Sequence, residues 1–189
     1  MKSPALLLIA LLAPLSALAD APNFNYDYLD LGHVNLAPDN GQSGKGPYVD
    51  LSYSIFDGIQ ARASYAHLNY STTPFGTAAK DYTAGITGET NVGEGTDVYT
   101  DILYVNDRVA SQGRGTTQNG YRLAVGMRHR MTKRLELDAY IAHNYLNTPD
   151  NEAGAGLLLD VTSWLSFGLS YAHDSQYDNT TTFRVRLYF

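Results

Sequence analysis

The sequence predicts a closed, antiparallel, up-and-down transmembrane β-barrel, most simply of ten strands, on three observations. Segments of alternating hydrophobicity recur along the chain, each bounded by turn residues. Tight turns alternate with longer polar connections. The chain ends on a strand, 181–189, in which Phe183, Val185, Leu187 and Phe189 share one face and Arg184 and Arg186 the other, because side chains alternate with period two. A soluble sheet would bury the apolar face and wet the arginines. A membrane barrel inverts this, turning the apolar face to lipid and the charges to the lumen.

The start of the chain carries a different signal. Met1 and Lys2 form a short basic start, Ala5 to Leu12 is almost wholly apolar, and Pro14 breaks the run before Ala17-Leu18-Ala19. This is the pattern of a cleaved secretory signal peptide over residues 1–19, leaving 20–189 as a single barrel domain. No apolar run of the ~20 residues needed for a spanning helix follows. The chain has no cysteine, so disulfides, thiolate metal sites and cysteine nucleophiles are excluded. A barrel needs none, since it closes by pairing every strand edge. Fifteen tyrosines against one tryptophan and six phenylalanines suit aromatic belts at membrane interfaces. The net charge of -6 argues against a nucleic-acid partner.

The elements follow in order. The first strand runs from about Phe24 to Leu36; Phe24, Tyr26 and Tyr28 alternate with Asn25 and Asp27, and phase is lost at 29–32, as a bulge would cause. Tyr48 to Phe56 is the cleanest strand, with Val49, Leu51, Tyr53 and Ile55 opposite Asp50, Ser52 and Ser54. Asp57-Gly58 makes a hairpin turn, after which Ile59, Ala61, Ala63 and Tyr65 continue opposite Gln60, Arg62 and Ser64. Ser71 to Ala79 reads as a loop. Tyr82, Ala84 and Ile86 then oppose Asp81, Thr83 and Thr87, up to a turn at Gly93-Glu94-Gly95. Val98, Ile102 and Tyr104 follow opposite Asp101, blurred by Leu103 and Val105, and Asn106 to Gln118 is the longest polar loop.

Tyr121, Leu123, Val125 and Met127 oppose Arg122, Arg128 and Arg130. The turn at 132–134 leads to Leu135, Leu137, Ala139 and Ile141, opposite Glu136 and Asp138. After a loop at 149–151, Ala153 to Val161 descends, a turn near Ser163 follows, and Leu165, Phe167, Leu169 and Tyr171 rise again. A loop at 174–179 joins the last strand. Eight strands remain an alternative if the blurred first and fifth segments fail.

Three segments, 59–67, 135–143 and 165–173, align without gaps, and each ends in Ala-His. His67, His143 and His173 therefore close the apolar face of three rising strands at one height. No two share metal-ligand spacing, so interfacial side chains explain them better than a metal site. His173 and Ser175 share a face, with Asp178 as a conceivable orienter, which is the minimum for acyl hydrolysis. The match is short, and no catalytic residue, metal or cofactor is assigned. Gly113-Arg114-Gly115 is most simply a flexible loop tip.

The strongest polar signal is inward. Arg62, Arg122, Arg128, Arg130, Arg184 and Arg186 share the lumen with Asp50, Asp81, Asp101, Glu136, Asp138 and Asp160. Opposite charges facing across strands stabilise a sheet, and confinement demands pairing. The favoured reading is a salt-bridged lumen that is largely plugged. The alternative is a charged constriction, a narrow porin-like channel for ions or small solutes.

Together these features resemble the small bacterial outer-membrane β-barrel proteins of the OmpX, OmpA-barrel and OmpW kind, although ten segments depart from the eight of those examples. The resemblance rests on the leader, the amphipathic strands, the turn asymmetry and terminal Phe189. It implies an outer-membrane location with both termini periplasmic, and contact with outer-membrane lipid and lipopolysaccharide. It also implies escort by periplasmic chaperones and insertion by the barrel assembly machinery, with Phe183, Val185, Leu187 and Phe189 as the assembly signal. The expected role is non-enzymatic, in surface interaction or envelope integrity through the loops. A lipid A-modifying hydrolase using His173 and Ser175 is a further alternative, and a rim protease like the omptins lacks its acidic cluster. The sequence names no external ligand.

Overall fold

A computed structural model describes residues 24–38, 43–70, 77–111, 114–175 and 178–189. The expected leader, Gly113 and most of the loop expected from Ser71 lie outside these residues. Ten strands form, none of them lost to the eight-strand alternative: β1 Tyr28–Pro38, β2 Gly44–Phe56, β3 Ile59–Tyr70, β4 Thr77–Gly93 and β5 Thr96–Ser111. They continue with β6 Arg114–Arg130, β7 Leu135–Tyr145, β8 Asp150–Asp160, β9 Leu165–Asp174 and β10 Asp178–Tyr188. Each pairs antiparallel with its sequence neighbours, and β1 closes on β10 from Tyr28↔Tyr188 to Pro38↔Asp178. No edge is left to template another chain.

Four tight turns lie at one end. Asp57-Gly58 and Glu94-Gly95 place glycine at φ 72° and 71°, the left-handed region that a two-residue hairpin needs. The other two are built alike on a threonine hydroxyl. Thr132 Oγ1 accepts from the amides of Arg134 and Leu135 at 3.3 and 3.1 Å, and Thr162 Oγ1 accepts from Trp164 at 3.3 Å. Both described chain ends lie here too, where the Phe189 amide donates to the Asp27 carbonyl at 3.3 Å.

Burial is inverted relative to a soluble protein. The most deeply buried large side chains are Gln60, Asp30, Asp50, Asp97, Ser52 and Ser166, all polar. Outward stand Leu51, Ile86, Val125, Ile141, Leu157, Phe167, Leu169 and Phe183, with Ile141 68% exposed. An outward tyrosine row crosses the loop-end half, with Tyr65 beside Tyr82 and Tyr104 beside Tyr121 at ring distances of 4.9 and 5.9 Å. Tyr145 and Tyr171 extend it. Phe56, Trp164 and Phe189 mark the turn end.

Three expectations need correction. The first strand has no bulge at 29–32: its register against both neighbours is unbroken, and Tyr28, Asp30, Gly32 and Val34 all belong to the inner face. Register shifts occur instead at 54–56 and 91–93, beside turns. Phe24 and Tyr26 precede β1 and are buried in the lumen, where arginines supply the cations their rings contact. Second, the long polar loop from Asn106 is mostly ladder. β5 and β6 stay paired from Asn106↔Asn119 to Ser111↔Arg114, and Arg114 belongs to that ladder rather than to a loop tip. Polar residues on both faces there reflect a hairpin that has risen past the apolar band. Third, the loops expected at 71–79, 149–151 and 174–179 give up residues 77–79, 150–151, 174 and 178–179 to strands. The two residues that blur β5, Leu103 and Val105, face inward with Asp101, and Ile102 and Tyr104 face out as expected.

Candidate functional site: the charged lumen

The period-two rule converts the strand register directly into an inner surface. Each arginine expected inside has a carboxylate within ion-pair distance. At the turn end Arg128 pairs with Glu136 at 2.6 Å and Arg130 with Asp160 at 3.6 Å. Register sets Arg130 opposite Glu136 and Arg128 opposite Asp138, so these contacts run diagonally. Asp138 instead accepts from the Tyr99 hydroxyl at 3.4 Å. Arg128 lies 4.6 Å from the Phe24 ring and 4.4 Å from that of Tyr26, and Arg130 lies 4.8 Å from Phe24. These are cation–π distances, strengthened by exclusion from water.

Closer to mid-barrel, Arg186 grips Asp30 through Nε and an NH₂ group at 2.7 and 2.8 Å, across the closing seam between β10 and β1. Its guanidinium also lies 3.6 Å from the Tyr28 ring, and Arg184 approaches the same aspartate at 3.5 Å. Arg62 bridges Asp50 at 2.7 Å and Asp101 at 2.9 Å, and Asp101 also accepts from Thr87 at 2.6 Å. Gln60 donates to Glu89 at 2.6 Å. Towards the loop end Arg122 forks onto Glu152 at 2.7 and 3.1 Å, and Tyr140 donates to the same carboxylate. The fork geometry matches guanidinium to carboxylate, and each pair limits the cost of a buried ion.

Asp81 is not brought to an arginine. It faces Asp107 in register on β5, and its Oδ1 has no hydrogen-bond partner among the described residues. Asp107 lies beyond the tyrosine row, where burial holds its carboxyl above the usual range. Asp30, Glu89, Asp97 and Glu152 belong to the network but escaped the sequence reading. Parity was the available signal: Glu152 alternates with outward Ala153 and Ala155, and Asp97 with Val98. Asp30 was masked by the misread phase of β1.

Open space is left among these side chains. One cavity of about 400 Å³ opens at the turn end against Phe24, Arg130, Glu136, Asp160 and Tyr188. The other, about 390 Å³, runs along the lumen from Arg128 and Glu136 to Leu68 and Asn144, with Tyr26, Arg62, Arg122 and Arg184 also among its walls. Tyr26 and Arg128 wall the lumen space, Phe24 and Arg130 wall the turn-end one, and Glu136 borders both.

His67, His143 and His173 face outward, and the last two are hydrogen-bonded across strands. His143 Nδ1 lies 2.7 Å from Asn151 Oδ1, and His173 Nδ1 lies 3.0 Å from Asn179 Oδ1. Ser175 Oγ accepts from the Asn151 amide at 3.0 Å. No hydrogen bond joins His173 to Ser175 among the described residues, and the Asp178 side chain lies outside them. No cluster of metal-ligating side chains occurs among the described residues. Phe183, Val185 and Leu187 line the outer face of β10, with Phe189 beyond its end, 61% exposed.

No protein-family model matches the chain, and no curated protein matches it. Among solved structures, it is similar to the KdgM porin in complex with disordered oligogalacturonate, with a TM-score of 0.52 and 11% identity over 85% of this chain and 99% of that one. It is similar to the NanC porin to the same degree, TM-score 0.52 and 11% identity, over 85% of this chain and 98% of that one. At such identity the likeness is one of fold. The structural neighbours are small outer-membrane β-barrels, and this chain shares their closed up-and-down architecture.

Proposed function

We propose that the chain is a non-enzymatic integral outer-membrane β-barrel whose lumen is closed by its own charges, presenting its loop end to the exterior. Both termini lie on the periplasmic side in this reading. One observation carries it: a polar, ion-paired interior inside a wall whose outward face between the aromatic rows is apolar. Phe24 and Tyr26, stacked on Arg128 and Arg130, act as the floor of the lumen. Surface interaction or envelope integrity is the role assigned to the loops. The outward residues of β10 serve as the signal read by the assembly machinery after passage with periplasmic chaperones.

Planar-bilayer recording tests the closed lumen. The native chain is expected to give no stable open level, and Phe24→Ala/Tyr26→Ala is expected to introduce one. A stable open level in the native chain would instead establish the second reading, a narrow channel. The two cavities and the fold shared with porins favour that alternative.

A further inference from the structure

Charge on the outward surface is segregated by height. Around the turn end the connections carry both signs, with exposed Asp57, Glu94, Lys133 and Arg134. Beyond the tyrosine row the described strands turn outward only basic charged side chains: Lys45 on β2, Lys80 on β4 and Arg108 on β5, all exposed. Lys80 stands directly opposite Arg108 in the β4–β5 register, and directly opposite His67 in the β3–β4 register. Like charges facing across adjacent strands destabilise a sheet unless something offsets them.

Nothing in the described chain does so. Neither Lys45 nor Lys80 makes an ion pair among the described residues. Asp81 and Asp107, next to these cations in sequence, project to the opposite face, into the lumen. Arg108 lies over the Tyr82 ring at 5.9 Å and uses its Nε on Asn106 at 2.9 Å, and its terminal NH₂ groups have no hydrogen-bond partner among the described residues. The far side of the barrel differs, since its outward polar residues at this height satisfy one another as His143–Asn151 and His173–Asn179.

We propose that Lys45, Lys80 and Arg108 form a binding site for the headgroup of a bis-phosphorylated glycolipid in the outer leaflet. Charge complementarity selects an anion, and the position just past the tyrosine row selects a lipid headgroup. Reach selects two phosphates: β2 to β5 spans three strand spacings, about 14 Å, more than one phosphodiester can contact. Long cationic side chains suit this task, laying their stems on the apolar wall while the charged heads meet phosphate. The inference rests on the outer-membrane reading given above.

The test uses the full-length protein in detergent micelles, with binding read by native mass spectrometry. The probes are diphosphoryl lipid A, monophosphoryl lipid A and phosphatidylglycerol. Native protein is expected to prefer the diphosphoryl form. Lys80→Gln/Arg108→Gln is expected to lose about tenfold or more of that affinity, the scale of losing charge-assisted contacts. The control Lys133→Gln/Arg134→Gln removes the same charge at the other end and is expected to bind like the native chain. Heat-modifiable migration confirms that each variant is folded. Equal binding by the folded double variant, equal loss in the control, or phosphatidylglycerol bound as tightly as diphosphoryl lipid A would each overturn the site. A native chain that fails to insert into micelles and vesicles would overturn the outer-membrane reading as well; insertion with unchanged binding removes only this inference.

Discussion

Leu169→Arg decides whether the exposed apolar wall faces hydrocarbon. Leu169 is outward on β9 and 56% exposed. Leu165, four residues earlier on the same face, follows the turn carrying the single tryptophan, Trp164. Four residues advance about 13 Å along a strand, and a tilt near 40° reduces this to about 10 Å of depth. An apolar band of about 25 Å then places Leu169 near mid-plane and Leu165 near the interface. Arginine at mid-plane costs about 2–4 kcal/mol, and near an interface about 0–1 kcal/mol. On a water-exposed surface either substitution would stay within about 0.5 kcal/mol. Urea unfolding from phospholipid vesicles, followed by Trp164 fluorescence, measures the difference. The expected result is a loss at Leu169 of about 2–4 kcal/mol, with Leu165→Arg near native. Equal small effects at both depths would refute the lipid-facing wall and the inverted burial argument with it.

Three further outcomes follow from the interior. Arg62→Ala leaves Asp50 and Asp101 buried without their cation and is expected to cost about 3–5 kcal/mol in the same assay; a loss under about 1 kcal/mol would show that water reaches both carboxylates. A Cβ at Gly154 would lie 2.5 Å from the Tyr140 ring, so Gly154→Val drives that ring off Glu152. The expected cost is about 1–3 kcal/mol, mostly recovered in Gly154→Val/Tyr140→Ala, and an additive double-mutant cycle would contradict the contact. Asp107 holds its proton more tightly when folded, because burial disfavours its charged form. Its contribution is therefore present at low pH and lost as pH rises through the folded value. Asp107→Asn should be more stable than the native chain at alkaline pH, with the gap closing towards about pH 4; a pH-independent gap would exclude this cause.

How much of this was legible depended on the range of the interaction. Strand number, the clean alternation of β2, β3 and β9, and the two glycine turns are local properties, so Asp57-Gly58 and Gly93-Glu94-Gly95 could be read directly. The phase of β1 was not local. Phe24, Tyr26 and Tyr28 suit an outward aromatic row as well as an inward stack, and only arginines brought from β6 and β10 make the inward choice favourable. Leu103 and Val105 blurred β5 for a related reason, since apolar side chains fit either side of a wall with lipid outside and packed side chains inside.

The sequence alone determined the barrel class, the facing of most strands and the inventory of inner charges, because period-two alternation is imposed residue by residue along each strand. Which arginine holds which carboxylate was decided only by the closed tertiary structure. Arg62 reaches Asp50 on β2 and Asp101 on β5, and Arg186 meets Asp30 across a seam joining the two ends of the chain. Such pairings depend on curvature, stagger and closure, which place residues far apart in sequence within about 3 Å of one another in a confined interior where an unpaired charge is costly.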